Sequence, residues 1–367
     1  MENIDLEKIS KNRVKISEVF TMKKPIAEIV GWVDNVRELG KIRFMLLKDF
    51  SGMIQITAVK GKMDDKVFDL INKITRESVV YIKGKIVDSK QAPGGKEILP
   101  DEISVISQAA ELPIDVSENS KTELPKRLDY RFLDLHRRKI MAVFRIESEV
   151  AKSFREFFSS KGFMEVFLPS VISSSSEGGT ELFEVKYFEK KAYLAQSPQL
   201  YKQMVASTPI EKVFTITPVW RAEKHNTVRH LNESRQMDIE MALANQFMVM
   251  KELEEAVKFI VGKVIENCGK ELETLNVKLN IPKAVYLSYE EAIKKAGGKF
   301  GDDFSPGQEK KLCDMHKGDI VFVHSWPALL KPFYIMPKDM NEKSKTSEGF
   351  DALYLSSEIS SGGQRIH

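Results

Sequence analysis

The sequence predicts an α+β protein of two domains, and three observations lead to this fold class. The chain has 367 residues, enough for two domains of about 150 residues each. Short β-rich runs separated by turn residues fill its first part, whereas the rest alternates amphipathic helical stretches with strand-like runs. A polar segment that carries Pro113 and Pro125 separates the two parts and is typical of a hinge. The predicted division is therefore 1–107, a hinge over 108–130, and 131–367.

Composition excludes several classes of protein. The 56 basic and 53 acidic residues give a net charge of +3, so the chain is not a strongly basic nucleic-acid coat, and any nucleic-acid contact must be local. No apolar run approaches the roughly 18 residues of a membrane span, and the N-terminus lacks the apolar region of a secretory signal. Two distant cysteines, Cys268 and Cys313, cannot build a disulfide framework. We expect a cytoplasmic protein with no membrane partner.

The N-terminal domain has a strand order that predicts an OB-fold. Three strand-like runs follow one another, and a helical stretch with apolar residues at helical spacing comes next. Two further strand-like runs complete the domain, at 78–87 and 97–106. Three strands, a helix and two strands is the order of an OB-fold barrel, although other small barrels are also built from short strands.

The second domain begins with an amphipathic helix predicted over 139–161, because Gly162 supplies the usual stop. A second helix is predicted over 248–272, with apolar positions typical of core packing. The remainder predicts one short helix, SYEEAIKKAG, a polar stretch, and two strands, VFVHSWP and FDALYL.

Arg221 and Glu223 follow a strand-like run and are two residues apart, so on one strand they would share a face. A hairpin would bring His230 beside them. A guanidinium can hold a phosphate while a carboxylate accepts from an amino group such as that of adenine, which indicates a nucleotide site. The alternative is an exposed hairpin stabilised by cross-strand ion pairs.

Three further clusters carry possible substrate-binding groups. The Ser/Gly loop around Glu177 could act as a lid that offers a carboxylate to an ammonium group, although Gly-Gly turns are common. Gln199 and Lys202 are three apart and share a helical face, which suits a substrate carboxylate, although most such lysines are simply solvated.

The C-terminal run carries the last cluster. Asp351 and Glu358 are two carboxylates that suggest Mg²⁺, since this ion prefers oxygen ligands and bridging phosphates. Ser361 and Arg365 lie in the same run. Ordinary polar turns would explain these residues equally well.

In this order the clusters resemble the class II aminoacyl-tRNA synthetases, in particular the aspartyl-tRNA synthetases of archaeal and eukaryotic type. The family's motif 1, a dimer-forming helix and strand, is similar to KGFMEVFLPS at 161–170, and motif 2 is similar to VWRAE at 219–223. The flipping loop over the amino acid resembles 173–185, and the aspartate-binding signature resembles QSPQLYKQ at 196–203. The strand pair with the magnesium carboxylates resembles 350–367. The resemblance implies an antiparallel catalytic sheet flanked by helices.

Substrate roles follow from the resemblance. Arg221 would hold the α-phosphate of ATP and the reacting carboxylate as the catalytic residue. ATP would also contact Glu223, His230 and Glu358, with Mg²⁺ on Asp351 and Glu358. L-Aspartate would be held by the following set: Glu177, Gln199, Lys202, Ser361 and Arg365. The implied reaction is attack of aspartate on the α-phosphorus to give aspartyl-adenylate and pyrophosphate, followed by transfer to tRNA(Asp). Whether tRNA(Asn) is also charged stays open.

The resemblance also implies partners. The barrel would bind the anticodon, with Phe44 as an exposed aromatic that stacks on a base and with Gln55 and Arg37 reading base edges or a phosphate. Glu97 is a further candidate. A homodimer through the motif 1 region is expected.

Three departures from the family pattern generate expectations of their own. The glycine-rich segment with its ATP-binding arginine, motif 3, does not occur in these residues. We therefore expect an incomplete catalytic domain that does not support aspartate-dependent pyrophosphate exchange at a useful rate. Leu355 and Ser356 stand where relatives have arginine and glycine, which predicts an altered turn before Glu358. Ser234 replaces an aromatic residue that some relatives place under adenine.

Other functions compete with this interpretation. A tRNA-binding or regulatory relative without aminoacylation would keep the barrel, and an amidating paralogue would lack it. An asparaginyl-tRNA synthetase is disfavoured by Lys202, because asparaginyl relatives lack a lysine at that position.

Overall fold

The computed structural model describes residues 5–174, 182–224, 231–339 and 345–367. The chain divides into two compact units. One unit comprises Met1–Asp115 and Ser120–Tyr130, and the other comprises Val116–Asn119 and Arg131–His367.

The first unit is a closed β-barrel with the strand order β1-β2-β3-β5-β4. Its elements are α1 (Leu6–Asn12), α2 (Ile16–Val19), β1 (Ile26–Leu39), β2 (Ile42–Asp49), β3 (Gly52–Val59), α3 (Asp65–Ile71), β4 (Val79–Asp88), a 3₁₀ turn (Pro93–Gly95), β5 (Lys96–Ser107) and α4 (Leu124–Asp129). Three strands, a helix and two strands follow one another as predicted, and the OB-fold order is confirmed. The helices α1 and α2 were not predicted.

Alternation along the barrel strands sets which side chains enter the core. Met45 and Leu47 on β2 and Ile54 and Ile56 on β3 are fully buried, because successive side chains on a strand point to opposite faces. The outer face of the same strands is left for polar and aromatic residues. Gly84 sits where β4 and β5 approach so closely that a Cβ would lie 2.3 Å from the Leu99 carbonyl oxygen.

In its described residues, the second unit combines three small sheets with helices. Its first half contains α5 (Arg131–Asp134), α6 (Arg138–Ser160), β6 (Met164–Glu165), β7 (Val171–Ile172), β8 (Glu184–Tyr187), β9 (Lys190–Leu194), α7 (Gln199–Ala206), β10 (Lys212–Trp220) and β11 (Glu233–Met241). Its second half contains α8 (Gln246–Asn267), α9 (Gly269–Leu275), β12 (Ala284–Ser288), α10 (Tyr289–Ala296), α11 (Pro306–Met315), β13 (Ile320–His324), a 3₁₀ turn (Ala328–Leu330), β14 (Gly349–Tyr354) and β15 (Ser357–Gly363). The sheet orders are β11-β10-β6, β12-β13-β14-β15 and β7-β9-β8.

The sheet β12-β13-β14-β15 is covered on both faces. Phe322 and Phe350 belong to a buried cluster with Met250 of α8, whereas Val321 and Val323 belong to a cluster with residues of α10 and α11. Burial on both sides explains why β13 is a continuous apolar run and does not alternate. The α+β prediction is confirmed. In the part of the chain described, β6 pairs with β10 and β12 pairs with β13 in parallel, and the other strand pairs of this unit are antiparallel.

Two helix predictions hold closely. The first helix, α6, ends before Gly162, which adopts a left-handed φ of 80°. The short helix α10 begins with a capping box between Ser288 and Glu291 and ends at the left-handed Gly297.

Two other helix predictions need correction. The helix predicted over 248–272 is two helices, because the backbone of Cys268 leaves helical geometry at φ −119° and ψ 27°. This break lets Cys268 and Leu272 bury against Val264 and the partly buried Ile146 of α6. The polar stretch before β13 contains α11, whose capping box joins Ser305 to Gln308. A serine followed by proline and, three residues on, glutamine is a readable start signal that the periodicity alone did not reveal.

Among the helices in the described ranges, none combines the length and the apolar character that crossing a membrane requires.

The turn between β14 and β15 is a two-residue hairpin turn formed by Leu355 and Ser356. Tyr354 pairs with Ser357, and the two turn residues adopt φ values of 49° and 79°. Two-residue hairpins with positive φ at both positions favour glycine at the second one. The hairpin therefore forms without that glycine, but both residues carry left-handed strain of about 1 kcal/mol each.

We predict that Ser356→Gly raises the free energy of unfolding by about 0.5 to 1 kcal/mol, because glycine adopts a left-handed φ without strain. Urea denaturation measures the change. The matched control is Ser357→Gly, since Ser357 lies in β15, where glycine should cost about 0.5 to 1 kcal/mol. Equal stability of the two variants would contradict the prediction.

Candidate functional site

The second unit contains a cavity of about 310 Å³ whose lining is unusually rich in charge. Its cationic side chains are Lys202, Arg221, Lys331 and Arg365, and its carboxylates are Asp238, Asp303, Asp351 and Glu358. These residues come from α7, β11, β14, β15 and the segments beside them. The folding of the unit thus collects charges that are far apart in the sequence.

Lys202 is a buried lysine. It lies one turn after Gln199 on α7, and only 7% of the residue is exposed. Its Nζ donates to Oδ2 of Asp238 and to the carbonyl oxygen of Ile239, both at 3.2 Å, and lies 3.6 Å from Oε2 of Glu240. The alternative interpretation as a solvated surface lysine is therefore wrong.

Glu240 joins this lysine to the C-terminal run. Arg365 donates from Nε to Oε1 of Glu240 at 2.9 Å and from Nη2 to Oε2 at 3.1 Å. The same Nη2 donates to Oε1 of Gln199 at 2.8 Å, and Nε2 of Gln199 lies 3.3 Å from Glu240. Burial alone would raise the pKa of Glu240, but Lys202 and Arg365 lower it below its ordinary value.

Asp238 and Glu240 were missed in the sequence. The signal that points to them is the alternation on β11, where Gln236, Asp238 and Glu240 are two residues apart. Side chains at this spacing share one face of a strand. Ile239 lies between Asp238 and Glu240 and so points to the opposite face of β11. A row of polar residues on one face of such a strand indicates a site on that face.

Arg221 and Glu223 both lie beyond the end of β10, but only Arg221 lines the cavity. β10 ends at Trp220, so both residues follow the strand, and the expectation that they lie on it together is wrong. The backbone N–H of Arg221 donates to the carbonyl oxygen of Asn232 at 3.0 Å. The backbone N–H of Glu223 donates to Oδ1 of Asn232 at 3.1 Å. Among the described residues that line the cavity, Arg221 is present and Glu223 is not.

Two predicted site residues, Glu177 and His230, lie outside the described residues. The lid predicted around Glu177 lies there as well.

Asp351 and Glu358 both line the cavity from neighbouring strands. Asp351 faces Ser361 across the β14–β15 ladder, and an irregularity after Ala352 separates this pair from Glu358. The Ser361 hydroxyl bonds to Glu358. Burial raises the pKa of Asp351, against the effect of Lys331. Burial and the neighbouring Asp351 raise the pKa of Glu358 to about 7.

This pair fits Mg²⁺ by its chemistry. Mg²⁺ binds through one or two carboxylates together with water and substrate phosphates, and a divalent cation would relieve the repulsion between two buried carboxylates. In the described ranges no group of three or more histidine, cysteine or carboxylate side chains is arranged to hold a metal. Any metal here would therefore need further ligands from water or substrate.

The barrel brings the predicted anticodon residues together on its outer face. Arg37 lies opposite Phe44, Phe44 opposite Thr57, and Gln55 opposite Glu97. Directly paired residues and residues two apart share a face. Gln55 and Thr57 each contact Oε2 of Glu97 at 2.7 Å.

The exposure of these residues corrects one expectation. Phe44 is half-buried rather than exposed, whereas Arg37 is exposed. Thr57, which the sequence interpretation did not include, lies in the middle of this face.

Comparison with known proteins identifies the family. Residues 123–367 match the family described as tRNA synthetases class II (D, K and N). The chain belongs to this family. Residues 27–106 match the OB-fold nucleic acid binding domain, and the predicted family and barrel are both confirmed.

Curated relatives support this membership. The aspartate–tRNA(Asp/Asn) ligase of Methanocaldococcus jannaschii is 45% identical over 347 residues, which is 92% of this chain and 78% of the relative. The aspartate–tRNA(Asp) ligase of Pyrococcus horikoshii is 43% identical over 93% of this chain and 80% of the relative.

Solved structures share the fold of this synthetase. The asparaginyl-tRNA synthetase of Pyrococcus horikoshii, complexed with asparaginyl-adenylate, matches with a TM-score of 0.90 and 31% identity over 96% of this chain and 83% of that one. An aspartyl tRNA synthetase of Entamoeba histolytica matches with a TM-score of 0.86 and 29% identity over 100% of this chain and 81% of that one. Because both specificities share the fold, side chains must distinguish them.

We predict that Glu240→Gln lowers the free energy of unfolding of this synthetase at pH 7 by about 2 to 4 kcal/mol, because Lys202 and Arg365 lose a buried countercharge. The folded pKa of Glu240 lies below its ordinary value of 4.5. Its stabilisation is therefore complete above about pH 4.5 and is lost as the pH falls through the folded pKa. Urea denaturation across this range measures the effect.

The matched control is Glu233→Gln on the same strand. Glu233 pairs with Arg235 at 2.8 Å, and both side chains are more than half exposed, so this change should cost less than about 1 kcal/mol. The prediction fails if the two variants are equally stable at pH 7.

Proposed function

We propose that this class II synthetase is of the aspartate–tRNA ligase type, the enzymes that activate L-aspartate with ATP and transfer it to tRNA(Asp). The observation that carries the proposal is the buried group of Lys202, Arg365, Gln199 and Glu240, of which the first three line the cavity. Two cations held at fixed positions suit a substrate carboxylate.

The same group favours aspartate over asparagine. Lys202 and Arg365 are fixed by Asp238 and Glu240 before any substrate arrives, so little ordering is needed on binding. A carboxylate entering beside them gains two charge-assisted contacts, whereas a neutral amide brings extra donors to groups that are donors themselves. A site built to pair with a charged group rejects an analogue that leaves it unpaired.

The remaining roles rest on the family resemblance, and of the residues concerned Arg221 and Ser361 line the cavity. Arg221 would contact the α-phosphate and the reacting carboxylate, and Ser361 would contact the amino acid. Glu177 would meet the substrate ammonium group, and Glu223 and His230 would contact ATP. Positioning and charge neutralisation would carry the first step, since aspartate is already a nucleophile.

Asp351 and Glu358 are the residues that would hold Mg²⁺. The ion would supply neutralisation of phosphate charge.

The proposal is tested by ligand binding to the purified 367-residue chain. We predict that it binds a non-reactive sulfamoyl analogue of aspartyl-adenylate at least 100-fold more tightly than the asparaginyl analogue, measured by calorimetry. Lys202→Met should weaken binding of the aspartyl analogue by at least about 30-fold, or about 2 kcal/mol, and leave the asparaginyl analogue nearly unchanged.

The control variant is Lys191→Met, an exposed lysine of β9 that pairs with Glu184; its affinities should stay within twofold of the unmodified chain. Equal affinity for the two analogues would exclude aspartate specificity. Absence of binding of either analogue, together with intact RNA binding, would instead favour the alternative of a tRNA-binding protein without aminoacylation.

We propose that the outer face of the barrel binds the anticodon of the tRNA. Phe44 would stack on a base. Arg37 lies directly opposite Phe44 on the neighbouring strand, and Gln55 and Glu97 lie on the same face of the strands beyond it. The polar network of Gln55 and Glu97 fixes donors and acceptors that can read base edges.

We predict that Phe44→Ala weakens binding of the tRNA(Asp) anticodon stem-loop by about 5- to 100-fold, the usual loss for one stacked base. Fluorescence anisotropy measures it. Phe50→Ala is the control, because Phe50 is an exposed phenylalanine in the turn after β2 and should have little effect. Equal losses for both variants would overturn the assignment of this face. Repeating the titration with the tRNA(Asn) stem-loop shows whether this barrel also accepts tRNA(Asn).

A homodimer is proposed through the motif 1 region. Met164, Phe167 and Val171 are exposed there, and Phe167 exposes 89% of its surface. A cluster of exposed apolar residues is typical of a protein interface. The place of action proposed for this enzyme is the cytoplasm.

A further inference from the structure

Lys331 is a cavity residue to which the proposed function gives no role. It follows the 3₁₀ turn after β13, and its Nζ lies 2.6 Å from Oδ1 of Asp351. The same ammonium lies 4.0 Å from the centroid of the Trp326 ring. Both charged side chains are nearly buried, with 11% and 7% exposed for the lysine and the aspartate. The cation is thus held from two sides.

This placement conflicts with a second cation on the same carboxylate. A divalent ion bound to Asp351 would lie within a few ångströms of the ammonium, and burial of the pair limits the screening of their repulsion by water. Lys331 therefore has to move away from Asp351, or tolerate the repulsion, whenever a metal binds there.

An anion in the cavity removes this conflict. The ammonium on its flexible stem can turn to a phosphate oxygen, and the Trp326 ring offers partial compensation while it moves. Arg221 lines the same cavity and attracts the same kind of ligand. A polyphosphate thus supplies the negative charge that the lysine and the metal would otherwise compete for.

We propose that Lys331 is a built-in counter-ion of Asp351, which makes divalent-cation binding depend on the entry of a nucleotide polyphosphate. It is a positioning residue, and the inference rests on the proposed role of Asp351 and Glu358 as metal ligands. Coupling of this kind is reciprocal, so the metal strengthens nucleotide binding by the same factor. Without nucleotide, Lys331 keeps the affinity of the site for divalent cations low.

The test measures Mn²⁺ binding to the purified 367-residue chain by electron paramagnetic resonance, with and without a non-hydrolysable ATP analogue. The unmodified chain should bind Mn²⁺ weakly alone and at least about tenfold more tightly with the analogue. Lys331→Met should bind Mn²⁺ at least about tenfold more tightly without the analogue, because the competing charge is gone. Addition of the analogue should then tighten its Mn²⁺ binding much less.

Three further variants repeat and control the measurement on Lys331→Met. Lys331→Gln repeats the test with a polar side chain should the methionine variant not fold, and Lys331→Arg keeps the charge and should behave like the unmodified chain. Lys258→Met removes a lysine that pairs with the buried Glu254 of α8, outside the residues that line the cavity. Its Mn²⁺ affinity should not change.

Asp351→Asn separates failure of the inference from failure of the metal assignment. If Asp351→Asn loses Mn²⁺ binding but Lys331→Met and Lys331→Gln bind as the unmodified chain does, the role of Lys331 is overturned and the metal site stands. If Asp351→Asn binds Mn²⁺ as well as the unmodified chain does, the metal assignment itself is wrong. Tighter binding by Lys258→Met would show that net charge, not Lys331, controls the affinity.

Discussion

The architecture of the second unit depends on the requirement that buried charges be paired. Glu240 can remain charged inside the protein because Lys202 and Arg365 both reach it, and an uncompensated charge at that depth would cost several kcal/mol. Glu240 is on β11, Lys202 is on α7, and Arg365 follows β15. Pairing these side chains therefore fixes the strand of one sheet and the end of another relative to α7. The cavity exists because these elements are held in place by charge as well as by packing.

In the barrel, the corresponding constraint is the alternation of side chains between the two faces of each strand. Met45 and Leu47 fill the core, so the residues between and beside them on β2 have to face outward. Phe44 is one of these, and the pairing places Arg37 and Thr57 directly opposite it. The same core that closes the barrel thus arranges an aromatic and polar surface. A shift of one residue in register would exchange the two faces and remove both the core and the surface.

Local patterns predicted the elements better than the contacts between them. The barrel order and α6 follow from periodicity and turn residues, which act over a few positions. The break at Cys268 did not follow, because tertiary burial of that residue overrides a continuous apolar pattern. Asp238 and Glu240 were missed for a related reason, since their partners Lys202 and Arg365 are 36 and 125 residues away respectively. Lys331 was missed as well, because nothing in its neighbours in sequence indicates Asp351, from which it is 20 residues distant. The family resemblance pointed to Lys202, Asp351 and Arg365, which line the cavity, but not to the side chains that pair with them.

Charge balance also explains why one cavity can receive ligands of opposite character. Cations and carboxylates line it in equal number among the described residues. An amino acid that carries an ammonium group and two carboxylates finds partners of both signs, and so does a polyphosphate with its accompanying cation. In the proposed coupling, the polyphosphate and its cation replace the ion pair between Lys331 and Asp351, whereas the substrate carboxylate joins Lys202 and Arg365 without breaking their pairs with Asp238 and Glu240. Both modes of binding favour a ligand whose charges match those of the site in sign and position and disfavour a neutral analogue of the same shape.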